Sequence, residues 1–307
     1  MRPWHVHLRA GLFLPVLWTA WFLPVGAQRR LARWTARFVF RLAPRLRRRL
    51  EKNLGRVLGR HDPARLRAAV LAVLAHYGDY LLDFFALQRG RRDRLLRSSR
   101  GDERLRAAAA QGRGVILATA HLGSWEMAAL FLADQARAIT VVSAPEEIGY
   151  LGALRSSIRS GQRHDELLLG GDPMAALDLL ERLRGGGMVG MQLDRAVGSS
   201  FASVPFCGAR LKMPRGPARL ARASGAPIVP VFALFAEGGG YELVVEEPVD
   251  PRGITEEELQ MRLAAVLERH VRARPEQWLM MQDPWDDGAP PGRPAPSAAH
   301  AASGADA

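Results

Sequence analysis

The chain has 307 residues, 48% hydrophobic and 24% charged, which suits a folded protein with a sizeable core and excludes a disordered or fibrous one. Its single cysteine, Cys207, excludes an internal disulfide and any metal site built from several cysteines, and fits a reducing compartment. The net charge of +12 is local: between Arg29 and Arg60 twelve basic residues face one acid, Glu51, so this block supplies +11 and the remainder is almost neutral.

Residues 10–27 form an uncharged stretch that includes Leu12, Phe13, Leu14, Trp18, Trp21 and Phe22. As a helix it would cover about 27 Å, just short of the ~30 Å hydrocarbon core of a bilayer. With the basic block directly after it, the stretch reads as an N-terminal membrane anchor (residues 1–28) whose following side stays in the cytoplasm. Two readings compete with it: a cleavable signal peptide ending at Val25-Gly26-Ala27, and an interfacial hairpin that never crosses. From Arg29 the arginines recur at every fourth residue (Arg29, Arg33, Arg37, Arg41), with Leu31, Trp34, Phe38 and Leu42 on the other side. The spacing predicts an amphipathic helix that ends near Pro44. Residues 29–60 therefore read as a membrane-surface segment whose partners are anionic lipids. Nucleic acid is the competing ligand for such charge, but no helix-turn-helix or aromatic-interleaved strand pair follows, and the reading here is against nucleic acid. A plain solvated helix face is the third option, above all for Arg45 to Arg60.

Apolar positions at helical period over 64–88 predict a packed helix. The pattern then alternates: strand 114–120, helix 125–136, strand 138–143, helices 147–159 and 173–184, strand 188–193, helix 214–224, strands 228–234 and 241–246, helix 255–272. Alternation of this kind predicts an α/β fold with a mostly parallel central sheet flanked by helices. The catalytic domain is placed at residues 61–285, and the Ala-, Gly-, Pro- and Ser-rich residues 286–307 are read as a disordered tail.

The informative stretch is Gly114 to Met127. A β-branched run ends at His121, Gly123 allows a sharp turn, and Ser124 is a candidate cap for a helix beginning at Trp125. His121 thus sits at the carboxyl end of a strand, the edge where ligands bind in open α/β sheets. Its imidazole can accept a hydroxyl proton near neutral pH, and Glu126, in the first turn of the next helix, is expected to hydrogen-bond the ring. A protein nucleophile is missing: there is no Gly-x-Ser-x-Gly elbow, and no His-Glu-x-x-His that would suggest zinc. A base without a nucleophile suggests that a substrate hydroxyl or amine attacks.

His121-Leu-Gly-Ser-Trp-Glu126 is followed in order by Gln192-Leu-Asp194-Arg195, Val204-Pro-Phe-Cys-Gly208, Gly216-Pro-Ala-Arg-Leu-Ala221, Ser224-Gly-Ala-Pro-Ile-Val-Pro230 and Pro275-Glu-Gln-Trp278. From about Asn53 to Trp278 the chain resembles the bacterial lipid A biosynthesis acyltransferases of the lauroyl and myristoyl transferase type. The resemblance implies a glycerolipid-acyltransferase-like fold and an inner-membrane enzyme working on the cytoplasmic face. It also implies transfer of an acyl chain from acyl carrier protein or coenzyme A to a lipid hydroxyl, with no cofactor and no metal. In those terms His121 is the general base and Glu126 its partner. Asp194 has a supporting role, with a loop cap at Arg195 as the equal alternative. Arg159, Arg163 and Arg195 are candidate substrate contacts, and a solvated face competes for the arginines. Cys207 reads as packing. Two departures put the lipid A precursor in question as acceptor: Gln282-Asp283 stands where the family commonly has two cations, and Ser143-Ala-Pro145 where it has Tyr-Arg-Pro. Another glycolipid, an aminolipid or a lysophospholipid is the alternative acceptor, and an inactive membrane scaffold the alternative role.

Overall fold

The computed structural model describes residues 23, 25–59, 61–86, 95–133, 139–143, 164–168 and 174–288. Three helices come first, α1 (Val25–Leu42), α2 (Pro44–Leu58) and α3 (Pro63–Ala86). They are followed by β1 (Leu96–Arg100), α4 (Asp102–Ala110), β2 (Val115–Thr119), α5 (Trp125–Ala133), β3 (Ile139–Ser143), β4 (His164–Leu168), α6 (Ala175–Arg184) and β5 (Met188–Gln192). A hairpin of β6 (Phe201–Phe206) and β7 (Ala209–Pro214) precedes α7 (Gly216–Ser224), β8 (Ile228–Phe235), β9 (Tyr241–Val245), α8 (Glu256–Ala273) and a 3-10 turn at Pro275–Gln277.

Seven strands form one sheet in the order β1-β9-β8-β2-β5-β3-β4. All its pairings are parallel except β8 with β9, so the sheet is mixed: the tight Gly238-Gly239-Gly240 link reverses the chain, and β9 and β1 run against the rest. The central strands are apolar without a break because both faces are covered. On β2, Ile116 and Ala118 pack into the core shared with α6, α7 and α8, while Val115 and Leu117 face the core under α4 and α5. The edge strand β1, Leu-Arg-Ser-Ser-Arg, has too little apolar content to be read from sequence, and the β6–β7 hairpin was likewise not expected. Its two-residue turn, Cys207-Gly208, places both residues at positive φ, a hairpin geometry ordinarily signalled by Asn-Gly or Asp-Gly.

The helical layer forms a third core from α1, α2 and α3 with Leu279. Here the sequence expectation needs correcting. The buried side of α1 is Ala32, Ala36 and Phe40, and Trp34, Phe38 and Leu42 are 64%, 52% and 64% exposed beside the exposed Arg30, Arg37 and Arg41, not on the side opposite the arginines. The helix ends as the spacing predicts, with Ala43 between it and Pro44 at the start of α2. It starts earlier than expected: Val25, Gly26 and Ala27 belong to its first turn. Apart from these and Leu23, the proposed anchor at 10–27 lies outside the described residues. Among the described residues no helix is long and apolar enough to cross a membrane. The helix expected over 147–159 and most of the expected tail also lie outside them, but Asp286 and Asp287 are held in place, by Arg210 and by Lys52 and Arg56.

One buried side chain ties the helical layer to the C-terminal segment. Asn53 Nδ2 donates to the carbonyls of Met280 (3.0 Å) and Gln282 (2.7 Å), and its Oδ1 accepts from Trp285 Nε1 (2.8 Å). Asn53→Ala leaves three buried polar groups without that partner, and a loss of about 3 kcal/mol of unfolding free energy is expected by urea denaturation. A loss below about 1 kcal/mol would contradict this account.

Candidate active site

The site follows from strand register. β2 and β5 are parallel neighbours with Thr119 opposite Gln192. Two residues beyond each lie His121 and Asp194, which the pairing therefore brings side by side at the carboxyl edge of the sheet. Asp194 Oδ1 lies 2.9 Å from His121 Nδ1, and Asp194 Oδ2 accepts from the His121 backbone N–H, also at 2.9 Å. Trp278 Nε1 donates to the same Oδ2 at 2.9 Å. A carboxylate can only accept, so the ring proton sits on Nδ1 and the lone pair of Nε2 is left for a substrate.

Asp194 is fully buried while the His121 side chain keeps 12% exposure. Burial opposes ionisation of Asp194, but the His121 ring beside it and the hydrogen bonds it accepts from His121 and Trp278 outweigh this, holding the carboxyl below its ordinary range. The bond to Nδ1 that the sequence assigned to Glu126 thus belongs to Asp194, which does more than cap the loop at Arg195. Glu126 lies buried in the first turn of α5, where the helix dipole favours an anion.

The turn between β2 and α5 is pinned on several sides. Leu279 N–H donates to the His121 carbonyl (2.6 Å), Gly123 N–H to the Gln277 carbonyl (2.9 Å) and Ser124 N–H to the Ala233 carbonyl (2.8 Å). Gly123 has φ +66, and a Cβ there would run into the backbone of Ala233, so only glycine fits. Ser124 caps α5 as expected, its Oγ accepting from Met127 N–H at 3.3 Å. Trp125 sets its ring edge-on to His121 at 4.8 Å between centroids, with the tilted ring of Tyr80 of α3 packed on it at 4.6 Å.

Arg195 is half-buried directly after Asp194, whereas Arg159 and Arg163 lie outside the described residues. Among the described residues no group of three His, Cys, Asp or Glu side chains is arranged to hold a metal. Cys207 is buried, which pushes its thiol up to about 12 and keeps it protonated. Asp283, a departure from the family pattern, pairs with Lys52 of α2 at 2.7 Å. The role of Trp278 was not foreseen; its signal was its place in the Pro-Glu-Gln-Trp element.

Comparison with known proteins places this geometry. The family model described as bacterial lipid A biosynthesis acyltransferase matches residues 4–286. The chain belongs to that family. It is therefore an acyltransferase, and the expectation drawn from its ordered motifs is met. A phosphatidylinositol mannoside acyltransferase of Mycobacterium tuberculosis is 30% identical over 219 residues, covering 70% of this chain and 69% of the relative. The protein of the same name from Mycolicibacterium smegmatis is 29% identical over 220 residues, covering 70% and 72%. Among solved structures, the 1-acyl-sn-glycerophosphate acyltransferase PlsC of Thermotoga maritima is 16% identical with a TM-score of 0.39, covering 80% of this chain and 93% of that one.

A carboxyl held below its unfolded value contributes stability above about pH 4 and loses it as pH falls through the folded value. This acyltransferase is expected to lose stability below about pH 4 more steeply than its Asp194→Asn variant, measured by urea unfolding from about pH 6 to about pH 3. Equal slopes would contradict an ionised Asp194.

Proposed function

We propose that this family member transfers a fatty acyl chain from an acyl thioester, carried by acyl carrier protein or coenzyme A, to a hydroxyl of a glycolipid. The observation behind this is the Trp278–Asp194–His121 chain, which ends in an unprotonated Nε2 at the sheet edge. His121 Nε2 takes the acceptor's hydroxyl proton as the oxygen attacks the thioester carbonyl. The tetrahedral intermediate collapses, the C–S bond breaks, and the imidazolium returns its proton to the leaving thiolate. Asp194 holds the ring by Nδ1 and stabilises the imidazolium. Ser124 is engaged in capping and the Cys207 thiol is kept protonated, which supports direct transfer without an acyl-enzyme. Glu126 is proposed to add negative potential beside this base, and Arg195, Arg159 and Arg163 to meet phosphates of the substrates.

The acceptor is proposed to be a mannosylated phospholipid or a related glycolipid. The names of the mycobacterial relatives support this, as does Asp283, which replaces a cation of the lipid A enzymes and is turned towards Lys52. His121→Ala is expected to lower kcat by about 10³-fold or more with an unchanged melting temperature, and Asp194→Asn to lower it by about 10²-fold or more while still folded, at a lower melting temperature. Thioester consumption with total lipid extract, and mass spectrometry of the product, measure this. A folded His121→Ala enzyme with near-normal turnover would sink the proposal.

We further propose that the enzyme works at the cytoplasmic face of the bacterial inner membrane. Support comes from α1, where Trp34 and Phe38 stack at 5.9 Å on an exposed face that also carries Arg30, Arg37 and Arg41. Burial of such rings in lipid is worth about 1.5–3 kcal/mol each, so Trp34→Ser with Phe38→Ser should weaken binding to anionic vesicles at least about tenfold in co-sedimentation. Unaltered binding would remove α1 from that role.

A further inference from the structure

Beyond the Ala118–Pro230 pair the strands β2 and β8 part, which leaves β8 with an open edge on the side of the turn that carries His121. Buried backbone groups need partners, so whatever fills that edge decides where the turn lies. Two groups fill it in succession. Ser124 N–H donates to the Ala233 carbonyl at 2.8 Å, and next to it the Gln277 side chain grips Phe235 at two points. Gln277 Oε1 accepts from the Phe235 N–H at 2.8 Å, and its Nε2 donates to the Phe235 carbonyl at 3.0 Å. The backbone fixes which way the amide points, since an N–H only donates and a carbonyl only accepts. Gln277 is buried, and its own carbonyl accepts from Gly123 N–H at 2.9 Å. From there the chain lies antiparallel to the turn, with Leu122 opposite Trp278 and Leu279 N–H on the His121 carbonyl. The Trp278 indole leaves this short bridge for Asp194.

We propose that Gln277 is a positioning residue for acyl transfer: its amide fixes the Pro275–Gln277 turn on β8 and so sets the register that delivers the Trp278 indole to Asp194. Two features favour this over a purely structural bond. The bridge beyond Gln277 has only two hydrogen bonds, and side chains alternate along it, so a slip of one residue would turn the indole away from Asp194. The second feature is what the amide holds on to. His76 of α3 also reaches this segment, its Nδ1 donating to the Glu276 carbonyl at 2.9 Å, but that bond ties the segment to the helical layer. Gln277 ties it to the sheet whose edge carries His121 and Asp194.

The proposal rests on His121 as the base with Asp194 as its partner, and the test separates the two. Gln277→Met keeps the volume of the side chain and loses both bonds to Phe235. It is expected to fold with a lower melting temperature, to lower kcat about tenfold and to leave KM for the thioester within about twofold, the pattern of a displaced base and not of lost binding. In NMR spectra of tryptophan-labelled protein, the Trp278 indole N–H signal, identified by its absence from Trp278→Phe, should move upfield in Gln277→Met as its hydrogen bond weakens. Trp278→Phe should itself lower kcat about tenfold, and the double variant should be no more than about twofold slower than the slower single one, since both act through one donor. Should Gln277→Met not fold, the milder Gln277→Asn, one methylene too short to reach Phe235 at both points, carries the same prediction. Leu263→Ala, in the core on α8, serves as control: it should lose stability without losing kcat. Wild-type kcat in the folded Gln277 variant would overturn the proposal. So would an unmoved indole signal, losses that multiply in the double variant, or losses that only track melting temperature as in the control. If folded His121→Ala itself stays active, the assignment of the base fails instead.

Discussion

The parallel pairing of β2 with β5 is the constraint on which the site depends. It sets Thr119 against Gln192, and the next two residues on each strand carry the chain over the edge to His121 and Asp194. Both strands are buried on both faces, so a slip of one residue would turn every apolar side chain towards the wrong core, and the His121–Asp194 pair is protected by the same register that protects the fold. The buried carboxylate is costly alone. Hydrogen bonds from the His121 backbone, the His121 ring and the Trp278 indole make it affordable, and together they point the imidazole one way only.

Much of this could be seen in the sequence. The break from β-branched residues to His-Leu-Gly-Ser located the strand end, the turn and the helix cap, and the order of short motifs identified the family. Asp194 was picked out in a supporting role, and Glu126 as the partner of the ring. Proximity along the chain favours Glu126, and only strand pairing, which spacing cannot give, brings Asp194 to Nδ1. The polar edge strand β1 and the Cys-Gly hairpin were invisible because neither has the composition that ordinarily marks such elements. On α1 the helical periodicity was right, but Trp34 and Phe38 share the exposed side with arginines instead of lying opposite them. Alanines and Phe40 bury there because small side chains let the helix lie close to α3, as Gly78 shows with its Cα region set against Ala32.

The helical layer is not a passive addition to an α/β enzyme. α3 reaches the turn that carries His121 through Tyr80, which packs on Trp125, and Asp83 of α3 holds the Tyr241 hydroxyl, while Arg29 of α1 reaches the Gly238 carbonyl in the link that feeds Tyr241. α1, with its exposed aromatic rings and arginines, packs on this same α3, Ala32 against Gly78.

The C-terminal segment has a consequence for how the enzyme comes into being. Trp278, Leu279, Met280 and Trp285 are all buried, and between them they supply a donor to Asp194, a strap across the His121 carbonyl and the partners of Asn53. These residues are the last part of the domain to leave the ribosome. Until they do, the strands can pair but the Asp194 carboxylate lacks its indole donor and the catalytic turn lacks its strap. Assembly of the site is therefore coupled to synthesis of this segment, and a nascent chain cannot hold the finished His121–Asp194 pair before nearly all of the domain has been made.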